Sequence, residues 1–252
     1  MISLHRLIVV ELFKLRRTLA LFVAAVLPGV IALLYALMLA QRGKALMGTP
    51  EQAWSALFQA SLSGWVMLGL TLFIALEAAL VVGIEHHHGG WKRLFAAPID
   101  ATRLFAAKTL VVFALVLASL ASLWVWTVVF GNIVALTVSE LGMPFGMPGA
   151  GSALLLAKVA ATSTLIVALH VAIAARWPAI AVSLGSGIVA MIGLVIAASS
   201  KWMKFYPWFF PLSAAQAEST RALATPVYAV AALLAVVVVI VAARSWRNRD
   251  VP

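Results

Sequence analysis

The sequence predicts an all-α membrane protein of six transmembrane helices, preceded by an N-terminal interfacial helix, with both termini cytoplasmic. Three observations carry this. Of 252 residues, 64% are hydrophobic and 10% charged, against about 45–50% and about 25% in soluble domains, and the mean hydropathy is +1.09. A soluble fold of this size has too little polar surface to hide so much apolar area. The apolar residues fall into six runs near the roughly 20 residues that a helix needs to cross hydrocarbon about 30 Å thick. The 18 Lys and Arg, against 8 Asp and Glu, gather in alternate connections, as cytoplasmic loops do. The net charge of +10 is therefore a topology signal and not a sign of nucleic acid. The absence of Cys excludes disulfides, thiolate metal sites and a Cys nucleophile.

Residues 1–18 read as an amphipathic helix lying on the inner leaflet, not as a signal peptide. Ser3, Arg6, Glu11, Lys14 and Arg17 share one face, and Leu4, Ile8, Leu12, Phe13 and Leu15 the other. The simpler alternative is a basic flank that sets orientation. The first span is about 19–40. It contains Pro28-Gly29, tolerable where neighbours satisfy the freed backbone groups. After a loop over 41–61 come spans at about 62–84 and 104–130, separated by a polar connector over 85–103. Trp124 and Trp126 suit an interfacial belt. A flexible Gly-, Met- and Pro-rich loop over 131–152 leads to the fourth span, 153–175. Arg176-Trp177-Pro178 turns into the fifth, 179–200. An aromatic loop over 201–225 precedes the sixth, 226–243, and a basic tail. All of this is a single transmembrane domain over 1–252. One side collects twelve Lys and Arg and the other five, which puts both termini in the cytoplasm.

No catalytic constellation stands out, and there is no P-loop to cradle ATP phosphates. His86-His87-His88 fan around a helix and cannot converge on one ion, so a solvated turn is expected there. His170 reads as a packing residue inside its span. Glu77 is the costly residue, because a carboxylate in hydrocarbon must face protein or water. Its depth nearly matches that of Lys108, so a Glu77–Lys108 charge pair is expected. Lys158, inside the fourth span, is expected to snorkel outward. Small residues at four-residue spacing, such as Ala160, Thr164, Ala168 and Ala172, allow close helix packing within the chain or between copies. Tyr206, Pro207, Trp208, Phe209 and Phe210 belong to a segment that Pro207 and Pro211 should keep non-helical. Such backbone survives at membrane depth only beside protein or a water-filled cavity, so these residues are expected at a pore rim as part of a substrate exit. A simple aromatic anchor is the alternative.

The connector reads Glu85-His-His-His-Gly-Gly-Trp-Lys-Arg-Leu-Phe-Ala-Ala-Pro98, followed by Arg103 and Lys108. In Glu85, Gly89, Gly90, Trp91, Lys92, Leu94, Pro98 and Lys108 it resembles the permease subunit of type-2 ABC exporters. That family often has Arg three residues after the Pro, where this chain has Ala101. The Tyr206–Pro211 stretch resembles the lantibiotic and bacitracin self-protection permeases. The resemblance implies a transport subunit without catalysis of its own, an exporter of an amphipathic or lipophilic substrate such as a peptide antibiotic, in the bacterial cytoplasmic (inner) membrane. It implies two copies of a separate ABC ATPase that carries ATP and Mg, and a second permease copy or related permease. The ATPases would couple through Glu11, Lys14, Arg17, Glu85, Gly90, Trp91, Lys92, Arg93, Pro98 and Arg103. Lipid or lipid-linked glycan export is an alternative. An ion-coupled carrier would need more intramembrane acids and recognisable halves, and an intramembrane enzyme would need a polar cluster at one depth.

Overall fold

The computed structural model describes residues 2–16, 18–43, 49–86, 90–96, 99–197, 200–216 and 226–247. Over these the chain forms helices α1 Leu4–Leu15, α2 Ala20–Arg42, α3 Ala53–His86, α4 Gly90–Ala96, α5 Ala101–Thr137, α6 Gly151–Arg176, α7 Ile180–Ala197, α8 Phe209–Ala215 and α9 Pro226–Arg247, with no strand among the described residues. Six of them, α2, α3, α5, α6, α7 and α9, are long and apolar enough to cross a membrane. The chain is a multi-pass, all-helical membrane protein.

α3 and α5 form the centre, and more than half of each apolar stretch is buried. α2 lies along α5, α6 and α7 lie along α3, and α9 covers α5 and α6. α7 and α9 are mostly exposed, through faces of Val, Leu and Ile that suit lipid. The two central helices outrun the expected spans. At 34 and 37 residues, and 1.5 Å per residue, they are about 51 and 55 Å long, well beyond hydrocarbon about 30 Å thick. Caps explain where they begin. Thr49 and Gln52 form a capping box, with Pro50 opening the turn Pro50–Gln52 that leads into α3. Asp100 Oδ1 accepts from the Arg103 backbone N–H at 3.0 Å and starts α5. Within α3, Trp65–Leu70 is a π-helical turn.

α2 shows how a membrane helix carries a proline. Pro28 supplies no N–H to the ladder. The carbonyl left without that donor is Ala24, four residues back, and the next one, Ala25, accepts from Ser122 Oγ at 2.5 Å and Trp126 Nε1 at 2.8 Å, both on α5. Gly29 makes the approach possible, since a Cβ there would lie 2.9 Å from the Trp126 ring. Trp126 is thus a donor between helices rather than a belt residue. Trp124 also turns to a neighbour, with Nε1 3.2 Å from Ser152 Oγ.

Several connections are more ordered than expected. The Gly-rich loop is pinned. Asn132 exchanges two hydrogen bonds with Gly146, and Trp54 Nε1 donates to the Pro144 carbonyl at 2.9 Å. Trp177 is extended before Pro178 and ends α6, as the steric rule for a residue preceding proline requires. The aromatic segment divides. Trp202 and Phe205 are exposed, whereas Phe209 and Phe210 are buried. Contrary to expectation, a helix runs through Pro211. It is the third residue of α8, where the missing N–H would have had no helical acceptor anyway.

Replacing Trp126 by Phe removes one of the two donors to Ala25. A loss of about 0.6–1.7 kcal/mol is expected, the range for hydrogen bonds between membrane helices. Reversible unfolding in mixed detergent and SDS micelles measures it.

Candidate functional site

Four ionisable groups that the sequence separates by nearly a hundred residues meet at the end of the bundle formed by α1, the end of α3 and the start of α5. Glu11 and Lys14 lie one turn apart on α1, Glu85 near the end of α3 and Lys108 two turns into α5. Glu11 Oε1 and Glu85 Oε1 each lie 2.7 Å from Lys14 Nζ. Their second oxygens hold Lys108 Nζ, at 2.9 Å from Glu11 and 2.7 Å from Glu85. The result is a closed ring of alternating charge and zero sum. Lys108 is fully buried, and both carboxylates are 3% exposed. Lys108 donates its third proton to the Val81 carbonyl at 3.4 Å, so all three ammonium donors are used. Lys14 is the partly exposed member, at 26%. Burial alone would lower its pKa, but Glu11 and Glu85 outweigh that and hold it above the ordinary 10.5.

This geometry corrects the expected Glu77–Lys108 pair. Side chains lean toward the N-terminus of their own helix. α3 runs toward this end of the bundle and α5 away from it. Lys108 therefore leans out toward the end, where Glu85, leaning inward, meets it. Glu77, two turns deeper on α3, also leans inward and so away from Lys108. It is fully buried, and neither of its oxygens has a hydrogen-bond partner among the described residues. α1 also differs from the helix expected on the leaflet. Its charged Glu11 faces inward with Leu7 and Leu15, while Val10, Leu12 and Phe13 face outward.

The connector is built onto this ring. Gly90 opens α4 so close to α3 that a Cβ there would lie 2.8 Å from the Glu85 backbone, so only glycine fits. Trp91 is buried in protein rather than lying in the lipid interface. It stacks on Trp246 of α9 at 4.6 Å between centroids and on Phe105 of α5 at 6.1 Å. The Lys108 ammonium sits 6.0 Å from its ring centre. Trp91 Nε1 lies 3.2 Å from His86 Nδ1, and His86 Nε2 lies 2.9 Å from the Ala174 carbonyl of α6. One neutral tautomer, with the proton on Nε2, satisfies both contacts. His86 is thus a junction between α3, α4 and α6 rather than part of a solvated turn. Arg93 is exposed, and Arg103 Nη1 donates to the Ile2 carbonyl at 3.3 Å. Arg17, His87, His88, Gly89 and Pro98 lie outside the described residues, as does the Lys92 side chain.

At the other expected site, Tyr206 Oη donates to the Ala190 carbonyl at 2.8 Å. Trp208 Nε1 lies 3.3 Å from His170 Nε2. Phe210 packs with Leu165 and Ala231, Phe209 enters the main core, and Gln59 Nε2 donates to the Ala215 carbonyl. The stretch after Pro207 folds back against α6 and α9 and stands inside the chain's own packing. His170 is the packing residue expected.

Lys108→Met leaves two buried carboxylates sharing one lysine. A loss of about 3–5 kcal/mol is expected, as for other broken buried pairs. Lys108→Met combined with Glu85→Gln should lose less than the sum of the two single changes, by about 0.5–3 kcal/mol. Unfolding of the four proteins in micelles decides it, and additive losses would mean that the two groups do not interact.

Neither the curated proteins nor the solved structures contain a match to this chain. The family model described as ABC-2 family transporter protein matches residues 7–193, a stretch that runs from within α1 through most of α7 and so takes in all four members of the charge ring. The chain therefore belongs to the ABC-2 family of transporter proteins, as a membrane-spanning permease.

Proposed function

We propose that this permease is the membrane part of an ATP-driven exporter, working in the bacterial inner membrane with the charged end of the bundle in the cytoplasm. Two copies, or one copy and a related chain, enclose the path. Two separate ATPase subunits bind ATP and Mg and dock on α4 and the residues around it. The observation that carries the reading is the fastening of α4. A motor outside the membrane needs a rigid element through which to push. α4 is tied to α5 and α9 by the Trp91 stack and to α3 and α6 by His86. Beneath it the charge ring binds α1, α3 and α5. In this reading the exposed Arg93 faces the ATPase, and the family resemblance counts Arg17 and Lys92 with it. Glu11, Lys14, Glu85, Gly90 and Trp91 act from behind, by making the contacted surface move with the spans.

The exported molecule is amphipathic or lipophilic, because the described spans offer aliphatic and aromatic side chains and few polar ones. A peptide antibiotic, of the kind handled by the lantibiotic and bacitracin self-protection permeases, is the first candidate. Tyr206, Pro207, Trp208, Phe209 and Phe210 shape the outer end of the path by fixing α8 and α9 against α6.

The purified permease alone should hydrolyse no ATP, and saturable hydrolysis by it would overturn the reading. In the assembled complex, Trp91→Ala should leave ATPase binding intact and lower substrate-stimulated hydrolysis and transport about fivefold. An aromatic pair contributes about 0.5–1.5 kcal/mol, and the lever would slip by that measure. Unchanged transport would count against α4 as the coupling element.

A further inference from the structure

Between α5, α6 and α9 the lipid-facing surface is cut by a groove of about 430 Å³. Thr109, Phe113, Thr164, Ala235, Val239 and Ile240 are among its walls. It is nearly free of polar surface in spite of its threonines. Thr109 Oγ1 donates back to the Phe105 carbonyl and Thr164 Oγ1 to the Ala161 carbonyl, each at 2.9 Å, so both present methyl groups to the groove. Along α5 the walls run from Thr102 to Phe113, a rise of about 16 Å at 1.5 Å per residue. That is half of the hydrocarbon thickness of about 30 Å, or one leaflet.

The cross-section limits what can fill it. The whole open space between the walls, about 950 Å³, spread over this length gives about 60 Å² at most, whereas a helix about 10–12 Å across needs about 80–110 Å². A single alkyl chain fits and a helix from another copy does not. The groove also has a charged mouth. On α5, Arg103 lies three residues before Ala106 and seven before Leu110, both in the wall, so it continues the same stripe. On α9, Arg244 lies one turn beyond Ile240. Both arginines are exposed. α5 begins and α9 ends at this end of the bundle, so the two stand on opposite walls. Arg103 uses one N–H on the Ile2 carbonyl and keeps the other donors of its guanidinium. The Asp100 carboxylate beside it is engaged with the Arg103 backbone N–H.

We propose that this groove binds one acyl chain of a membrane phospholipid whose anionic headgroup is held between Arg103 and Arg244. The lipid belongs to the leaflet on the side of α1 and α4. It fills the seam along which α9 meets α5 and α6, and α9 is the helix that carries Trp246 to the Trp91 stack.

Native mass spectrometry of the full-length permease in mild detergent, titrated with phosphatidylglycerol or phosphatidylcholine of matched chains, tests this. One phosphatidylglycerol should be retained in preference to phosphatidylcholine. Val239→Trp and Thr109→Trp fill the groove from opposite walls, and each should abolish retention of both lipids. Arg103→Gln and Arg244→Gln alter exposed side chains. Each should weaken phosphatidylglycerol about fivefold, the attraction that a surface of anionic lipid exerts on one basic residue, and leave phosphatidylcholine unchanged. The melting temperature of each variant separates loss of lipid from loss of fold, and the arginine variants serve if a tryptophan variant fails to fold. Retention of phosphatidylglycerol at wild-type levels in the folded tryptophan variants would overturn the proposal. So would an equal loss of both lipids in the arginine variants. Loss of a dimer in the tryptophan variants with lipid still bound would assign the groove to a second copy and overturn it as well.

Discussion

The ring formed by Glu11, Lys14, Glu85 and Lys108 is the constraint on which the basic end of the bundle depends. Each of these groups costs several kcal/mol to take out of water, and the arrangement is tolerable only when all four are present. Every carboxylate oxygen then meets an ammonium, and Lys108 spends its last donor on a backbone carbonyl. Such a ring adds less to net stability than an apolar core of equal volume would. What it adds is position. Apolar helices slide over one another at small cost, whereas a shift of one turn in α1, α3 or α5 would strand a buried charge. α1 therefore has one seat, with Glu11 inward and its aliphatic face outward.

The rest of this end is assembled on that seat. Glu85 supplies both a ring carboxylate and the backbone against which Gly90 closes. Trp91 then closes a triangle of rings with Phe105 and Trp246, and His86 ties the corner to α6. Six helices converge within a few residues of one another. The far end is held by other means. There, backbone carbonyls receive side-chain donors, as at Pro144, Gly146, Ala190 and Ala215. Between the two ends Glu77 stands fully buried, with no hydrogen-bond partner among the described residues. A permease that transmits force needs one end that moves as a body, and the ring and the Trp91 stack give the basic end that character.

Much of the architecture was legible in the sequence, because a span declares itself by length and apolarity. The six helices follow from that, as does the break at Trp177-Pro178. The ends of α3 and α5 were not legible from hydropathy, which stops at the first polar residue. The helices continue past it because Asp100 and the Thr49–Gln52 box cap them. Residue types at the site were partly legible. Glu11, Lys14, Glu85, Trp91 and Lys108 all stood out, but the partners were misassigned, since matching depths ignores the direction in which side chains lean. The lean toward the helix N-terminus, applied to an antiparallel pair, would have favoured Glu85 over Glu77. Trp124 and Trp126 were read as interfacial because an indole suits a headgroup layer. Nothing local in the sequence says that Ser152 or the Ala25 carbonyl lies opposite.

The central claim is that α1, α4 and the adjoining ends of α3, α5 and α9 move as one body. The chain contains no cysteine, so Phe13→Cys on α1 and Ser245→Cys on α9, both exposed positions, can carry a pair of spin labels without further change. Electron–electron double resonance on the assembled complex in lipid, with and without ATP, gives the distance between them. The account predicts the same distance in both states, while the distance from Ser245 to a label at the exposed Ile196 on α7, a helix outside that body, changes. A Phe13–Ser245 distance that shifts with nucleotide would show α1 and α9 moving separately and would contradict the account.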